Sequence, residues 1–364
     1  MTDVQAGGQS DRQSGQTDGT GSTVADPVPR PERAVRVRRA QHSSRWNGAA
    51  MAVAVVVLAT LPYTASASVT SPLINLFVLV TIATMWNLLA GYSGLVSVGQ
   101  QAYIGLGAYA VVQFSDWGVQ PFIGIAFAAA FCAAAAIPTS WLAFRLRGDY
   151  FAVGTWVIAE VYRLVVVRDK HLGGGSGRSL TTLSSIDPTV RTALVYWAGL
   201  VVAVGALLAT YLLLRSRLGL ALTAVRDNEI AARSVGVRVS RAKRLVYLAA
   251  AAGTGAAGGV LVVSSLSVHP DAIFSVQYSA EMIFIVIIGG IGTIEGPIVG
   301  AVIFFALQQW LSSQGVWYLI LLGCVAIVCA VWVPRGIWGA VADRFGWRLF
   351  PVGFWLAVDR RTAA

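Results

Sequence analysis

The 364-residue chain is 56% hydrophobic and only 12% charged, about half the charged share of an ordinary soluble domain, which excludes a water-soluble globular protein. A net charge of +10 would in a soluble protein raise nucleic acid as a partner. The basic residues instead crowd beside apolar runs, so no nucleic acid is expected. Cys132, Cys324 and Cys329 sit inside apolar runs without CxxC spacing, and neither a disulfide, a metal site nor a cofactor is expected.

Residues 1–45, rich in Gly, Ser, Gln, Asp and Arg, read as a disordered basic tail. Apolar runs follow at 49–65, 72–90, 98–114, 121–144, 151–167 and 192–214, then at 245–268, 281–294, 298–311 and 316–333. About twenty such residues cross about 30 Å of hydrocarbon. The fold class is therefore an all-α integral membrane protein of about ten transmembrane helices, with eight or nine as the lower count. Its boundaries are a tail over 1–45, a transmembrane domain over 46–335 and a C-terminal tail over 336–364. Ala65-Ser66-Ala67 resembles a signal-cleavage site, but the first run reads as a retained span.

Charge sets the orientation. Arg30 to Arg45, Arg145 and Arg147, the loop over 215–244 and Arg335 fall on one side of an even span count, and basic residues near span ends stay cytoplasmic. Both termini are thus expected inside. The loop over 168–191, with Arg168, Lys170, Arg178 and Arg191, is the main exception.

Several spans are interrupted. Gly91, Gly94, Gly99, Gly105 and Gly107 crowd the start of the third run, and Gly289, Gly290, Gly292, Gly296 and Pro297 part the eighth from the ninth. Non-helical backbone at membrane depth must be buried in protein or face water. Such breaks in transporters often flank the substrate path, whereas close helix packing is the plainer reading of any single glycine. One break lies in each half, which leaves an inverted repeat open.

Other motifs fail their chemistry. Gly173 to Ser179 looks like a phosphate loop, but Leu172 stands where the first glycine belongs and Arg178 replaces the lysine. Ser93 in Gly91-Tyr92-Ser93-Gly94 has no histidine base, since His42, His171 and His269 all lie outside the spans. Glu160 and Arg163, three residues apart, share a helix face and neutralise each other. The loop over 215–244 carries a short helix over 218–234 with an apolar stripe of Leu222, Val225 and Ile230, ended by Gly236. It suits a lipid surface or a groove on a soluble partner.

That loop, RDNEIAARSVGV over 226–237, resembles the permease subunits of ABC importers, in particular the LivM type of the branched-chain amino acid family. WNLLAGYSGLVSVGQ over 86–100, RLRGDYFA over 145–152 and GGIGTIEGP over 289–297 resemble it too. The resemblance implies a cytoplasmic coupling helix that docks on an ATPase, assigning that role to Arg226, Asp227, Asn228, Glu229, Ala231, Ala232 and Gly236. It implies no enzyme but a transport subunit working by alternating access in a bacterial plasma membrane. Its implied partners are two ABC ATPase subunits, a second related permease subunit, an extracytoplasmic substrate-binding protein and membrane lipid. Leucine, isoleucine and valine are the expected cargo, with urea, amides or another small polar solute as alternatives and an ion-coupled secondary transporter as the rival class. Candidates for the translocation path are Gly94, Ser97, Gly99, Gln100, Glu160, Gly289, Gly290, Gly292 and Gly296.

Overall fold

The computed structural model describes residues 35–38, 43–183, 185–311, 320, 323–325, 327–328, 331–333, 336–345 and 355–358. Most of the 1–45 tail, half of the tenth apolar run, Cys329 and much of the C-terminal tail lie outside these residues. One small unit is an antiparallel ribbon in which Val35–Arg38 pairs with Trp355–Val358.

The second unit is helical. Its elements are α1 (Ser43–Thr64), α2 (Ala67–Ser93), α3 (Gln101–Asp116), α4 (Pro121–Ala143), α5 (Asp149–Arg168), α6 (Pro188–Arg215), α7 (Arg217–Asp227) and α8 (Glu229–Ser234). They are followed by α9 (Val239–Ser265), α10 (Pro270–Ile273), α11 (Val276–Gly289), α12 (Gly296–Leu311) and the helix Gly336–Phe345. Local chemistry places several of these boundaries. Pro121 and Pro188 occupy first-turn positions, where a missing N–H costs nothing, and Asp187 Oδ1 accepts from Thr189 N at 2.8 Å to cap α6.

Among the described residues, six helical stretches are long and apolar enough to cross a membrane: 68–93, Pro121–Ala143, Asp149–Arg168, Pro188–Arg215, Val239–Ser265 and Pro270–Gly289. Ala49–Thr64 and Gly296–Leu311 are shorter apolar helices. The third run begins as helix only at Gln101, and at 16 residues α3 measures about 24 Å. The eighth run is shifted: α11 starts at Val276 and stops at Gly289, and 290–295 leave helical geometry. The seventh span starts earlier, at Val239, so Arg241, Lys243 and Arg244 are helical.

The core is organised around α9, which packs against α4, α3 and α2. A Cβ on Gly107 would lie 2.0 Å from Gly255 O, and one on Gly258 would lie 2.0 Å from Ile104 O. The α3 and α9 backbones therefore touch directly, a packing only small residues allow. Buried hydroxyls such as Thr81 and Thr84 donate to the carbonyls of Phe77 and Val80, one turn back, so they add no unmet polar atom. By contrast, α5 is mostly exposed on its outer face, with Val153, Trp156, Val157, Val161 and Leu164 uncovered.

Helix ends sort into two groups. Arg226 in the last turn of α7 reaches Gly91 at the end of α2, and Glu229 reaches Lys243 at the start of α9. At the other end of α9, strand Ser267–Val268 pairs with Arg178–Ser179, and Leu180 N donates to Leu266 O at 2.8 Å. The glycine-rich 172–180 loop is thus pinned, and Arg178 adds an ion pair with Asp116 at 2.7 Å.

Candidate coupling and translocation site

The first break begins where Gly94 turns out of α2 with φ of 69°, a left-handed C-cap whose N–H returns to Leu89 O. Residues 95–99 then run irregularly, Trp86 Nε1 donates to Ser97 O at 2.8 Å, and Val98 N donates to Thr155 Oγ1 at 3.2 Å. A Cβ on Gly99 would sit 2.0 Å from Thr155 O, so this break lies flat against α5. The second break runs from Gly290 to Glu295, with Gly292 at φ of 78°. Gly289 and Gly296 close it, each too near neighbouring backbone to carry a side chain.

The two breaks are tied together. Asn87 Nδ2 donates to Thr293 O at 2.7 Å, while Gly292 N donates to Asn87 Oδ1 at 2.8 Å. One buried amide therefore satisfies two backbone groups freed by the loss of helix. Arg226 completes the joint, donating from Nη1 to Gly91 O at 2.6 Å. The same nitrogen would stand 2.7 Å from a Cβ on Gly292.

The loop that carries Arg226 differs from the single helix over 218–234 expected from the pattern. Asn228, extended at φ of −157°, accepts from Ile230 N and Ala231 N and starts a new helix. An Asn with two backbone donors in reach is a stronger N-cap than a helix-interior residue, so the helix splits into α7 and α8. Leu222 and Val225 face inward, and Ala232, 2% exposed, packs with Val225 and Val239. Ile230 at 80% and Val235 at 77% exposed point away. Asp227 and Ala231 are exposed, and Gly236 leaves the loop at φ of 87°. Glu229 accepts from Lys243 Nζ and from Arg233 Nη2, both at 2.7 Å. The Lys243 bond, ahead of the Arg233 charge, holds its carboxyl below the usual range.

A cleft of about 640 Å³ opens beside this joint, lined among others by Gly94, Leu146, Arg147, Asp149, Glu229 and Lys243. All four stretches singled out in the sequence thus meet at one end of the bundle. Ser97, within the first break, and Gln100, at its end, are fully buried. Gln100 Oε1 accepts from Thr254 Oγ1 at 3.5 Å, but its Nε2 has no partner among the described residues. Neighbouring Gln101 accepts from Ser279 of α11.

Glu160 stands apart from this cluster. It accepts two bonds from Arg163 Nε at 2.9 and 3.0 Å and one from Nη2 at 2.5 Å. Arg163 also meets Asp271 of α10 at 2.5 Å. At the far ends of α2 and α12 lies a second, polar cavity of about 330 Å³, lined by Asn75, Gln277, Tyr278, Glu281 and Gln308 among others. Glu281 opens the eighth apolar run of the sequence. Asn75 and Gln308, bonded at 3.1 Å, are polar residues inside apolar runs, a weak signal that they share with Asn87 and Gln309.

Interrupted spans gathered on a basic loop are the architecture of a multi-pass membrane protein of the transport class. Residues 68–330 match the family described as "Branched-chain amino acid transport system / permease component", and the chain belongs to that family. It is 27% identical over 283 residues to the high-affinity branched-chain amino acid transport system permease protein LivM of Salmonella typhimurium, covering 69% of this chain and 65% of the relative. The LivM of Escherichia coli K12 matches equally, at 27% over 278 residues, 69% of this chain and 65% of its own length. Both alignments therefore span just under two thirds of these curated relatives. The ribose import permease protein RbsC of Escherichia coli K12 is 32% identical over 137 residues, 35% of this chain and 42% of that one. No solved structure matches the chain.

Proposed function

We propose that the chain is the translocating subunit of an ATP-driven importer of branched-chain amino acids in a bacterial plasma membrane, with both termini cytoplasmic. Two ATPase subunits dock on α7 and α8, a second related permease subunit completes the path, and an extracytoplasmic binding protein delivers the cargo. The observation that carries this reading is the Arg226 to Gly91 bond, which joins the basic loop to the two broken spans. A push on that loop acts at once on α2 and, through Asn87, on the 290–295 segment. Gly94, Ser97, Gly99, Gln100, Gly289, Gly290, Gly292 and Gly296 then line or frame the cytoplasmic gate, where irregular backbone is tolerated only against protein or water.

Docking is assigned to the uncovered residues of the loop. Ile230 and Val235 are free to enter an ATPase groove, Asp227 and Ala231 flank them, and Asn228, Glu229, Ala232 and Gly236 hold the loop's shape. The mid-span Glu160, with 48% of its side chain exposed, supports a path along α5. A half-exposed ion pair is too costly to face hydrocarbon, so that face meets water or the second permease subunit.

Two measurements test this. Ile230→Glu and Val235→Glu should abolish co-purification with the ATPase chains without lowering the permease's yield; unchanged association would end the docking assignment. In proteoliposomes of the full complex, leucine uptake should require ATP. Uptake that persists without ATP and follows an ion gradient would place the chain in the secondary transporters.

A further inference from the structure

The cavity at the opposite end of the bundle holds a carboxylate with no counter-charge. Glu281 is 7% exposed, and its Oε1 accepts one neutral hydrogen bond, from Gln277 Nε2 at 3.0 Å. Among the described residues no Lys, Arg or His forms an ion pair with it. Glu281 lies five residues into α11, about 7–8 Å from its start. Asn75 lies eight residues into α2, and Gln308 three residues before the end of α12. The cavity therefore opens at the end away from Arg226.

Its lining is polar, and of its two carboxylates Asp271 is already paired with Arg163 while Glu281 has no ion-pair partner among the described residues. Asp271 and Glu281 are the charged groups, Asn75, Gln277 and Gln308 supply amides, and Tyr278 supplies a ring. A buried carboxylate is costly unless paired, and hydrogen bonding by one amide does not neutralise it. At about 330 Å³ the space falls within the ~300–1,000 Å³ of small-molecule sites.

We propose that this cavity is a subsite for the protonated amine of the transported solute, with Glu281 as its counter-ion and the amides of Asn75, Gln277 and Gln308 as its neutral rim. This rests on the importer reading above and sharpens it. The relatives of the chain include amino-acid and sugar permeases by name, and a sugar carries no cation to offset Glu281. The subsite selects the ammonium group.

The test does not depend on transport. Ala272 is exposed at the cavity rim, and Ala272→Cys is made in a chain whose Cys132, Cys324 and Cys329 are replaced by Ser, reconstituted in nanodiscs. The rate of reaction with a small charged maleimide is then read. L-leucine and L-leucinamide should each slow the reaction at least threefold, while ribose and the deaminated 2-hydroxy-4-methylpentanoate should not. Glu281→Gln, which keeps shape and loses charge, should remove that protection. Protection by leucinamide without protection by leucine would keep the ammonium subsite and defeat the amino-acid cargo. Protection by sodium or potassium alone, equal protection in Glu281→Gln, no protection by any amine, or an introduced thiol that never reacts would each overturn the proposal.

Discussion

The two ends of the α2, α11 and α12 trio are built on opposite principles. At one end backbone lies against backbone, and the loose polar groups of two broken helices are consumed by Asn87 and Arg226. At the other a buried carboxylate and three amides face open space. The close-packed end is suited to transmitting a displacement, because packed interiors yield little. The open end is suited to receiving a solute. Stiffness and vacancy are divided between the ends of the same three helices.

The strongest way to break this contrast is to wedge the packed end. Gly99→Ala and Gly289→Ala each drive a methyl group to within 2.0 Å of a backbone carbonyl. Each should cost about 3 kcal/mol, the upper end for overpacking, seen as a fall in the thermal unfolding midpoint of the detergent-solubilised protein. An unchanged midpoint would mean that the break is not tightly packed. Arg226→Gln removes a charge-assisted hydrogen bond of about 1.5–3 kcal/mol. It should leave the ATPase chains bound and ATP hydrolysis running while leucine uptake falls at least tenfold; loss of binding would instead place Arg226 in the docking surface.

Gly94→Ala sharpens the same contrast from within one break. Nothing lies within 4 Å of its added Cβ, so only the left-handed backbone resists, at about 1–2 kcal/mol. A drop as large as that of Gly99→Ala would show that φ, and not packing, governs the break. The smallest effect belongs to Glu229. Its pKa is held down by Lys243 first and Arg233 after, so its contribution is whole above the ordinary glutamate range and disappears as pH falls through its own lowered value. For so exposed a pair that is a few tenths of a kcal/mol. The difference in unfolding midpoint between wild type and Glu229→Gln should be present at neutral pH and close on acidification; a constant difference would make the pairs irrelevant.

Membrane character and the glycine breaks were legible in the sequence because both are local: apolar run length fixes the first, and clustered glycines mark the second. Pairings across the chain were not. Asn87 with Gly292 and Asn75 with Gln308 are separated by 205 and 233 residues, and no local pattern announces them. The split between α7 and α8 was half visible, since Asn228 followed by Glu229 reads as a cap, but helical periodicity carried through it. Ile230 misled for that reason. It continues the stripe of Leu222 and Val225 only if the helix is unbroken, and the new helix turns it outward. Glu160 and Arg163 were readable as a pair from their spacing, whereas the third member, Asp271, sits 108 residues away.

One further consequence belongs to α9. Its 27 residues make a rod of about 40 Å, gripped at Lys243 by the loop and ending in the small sheet that pins the opposite rim. A tilt of about 5° at the gripped end displaces the far end by about 3–4 Å over that length. In the proposed importer the helix would serve as a lever arm, carrying to the opposite rim an amplified copy of a small movement imposed at its Lys243 end.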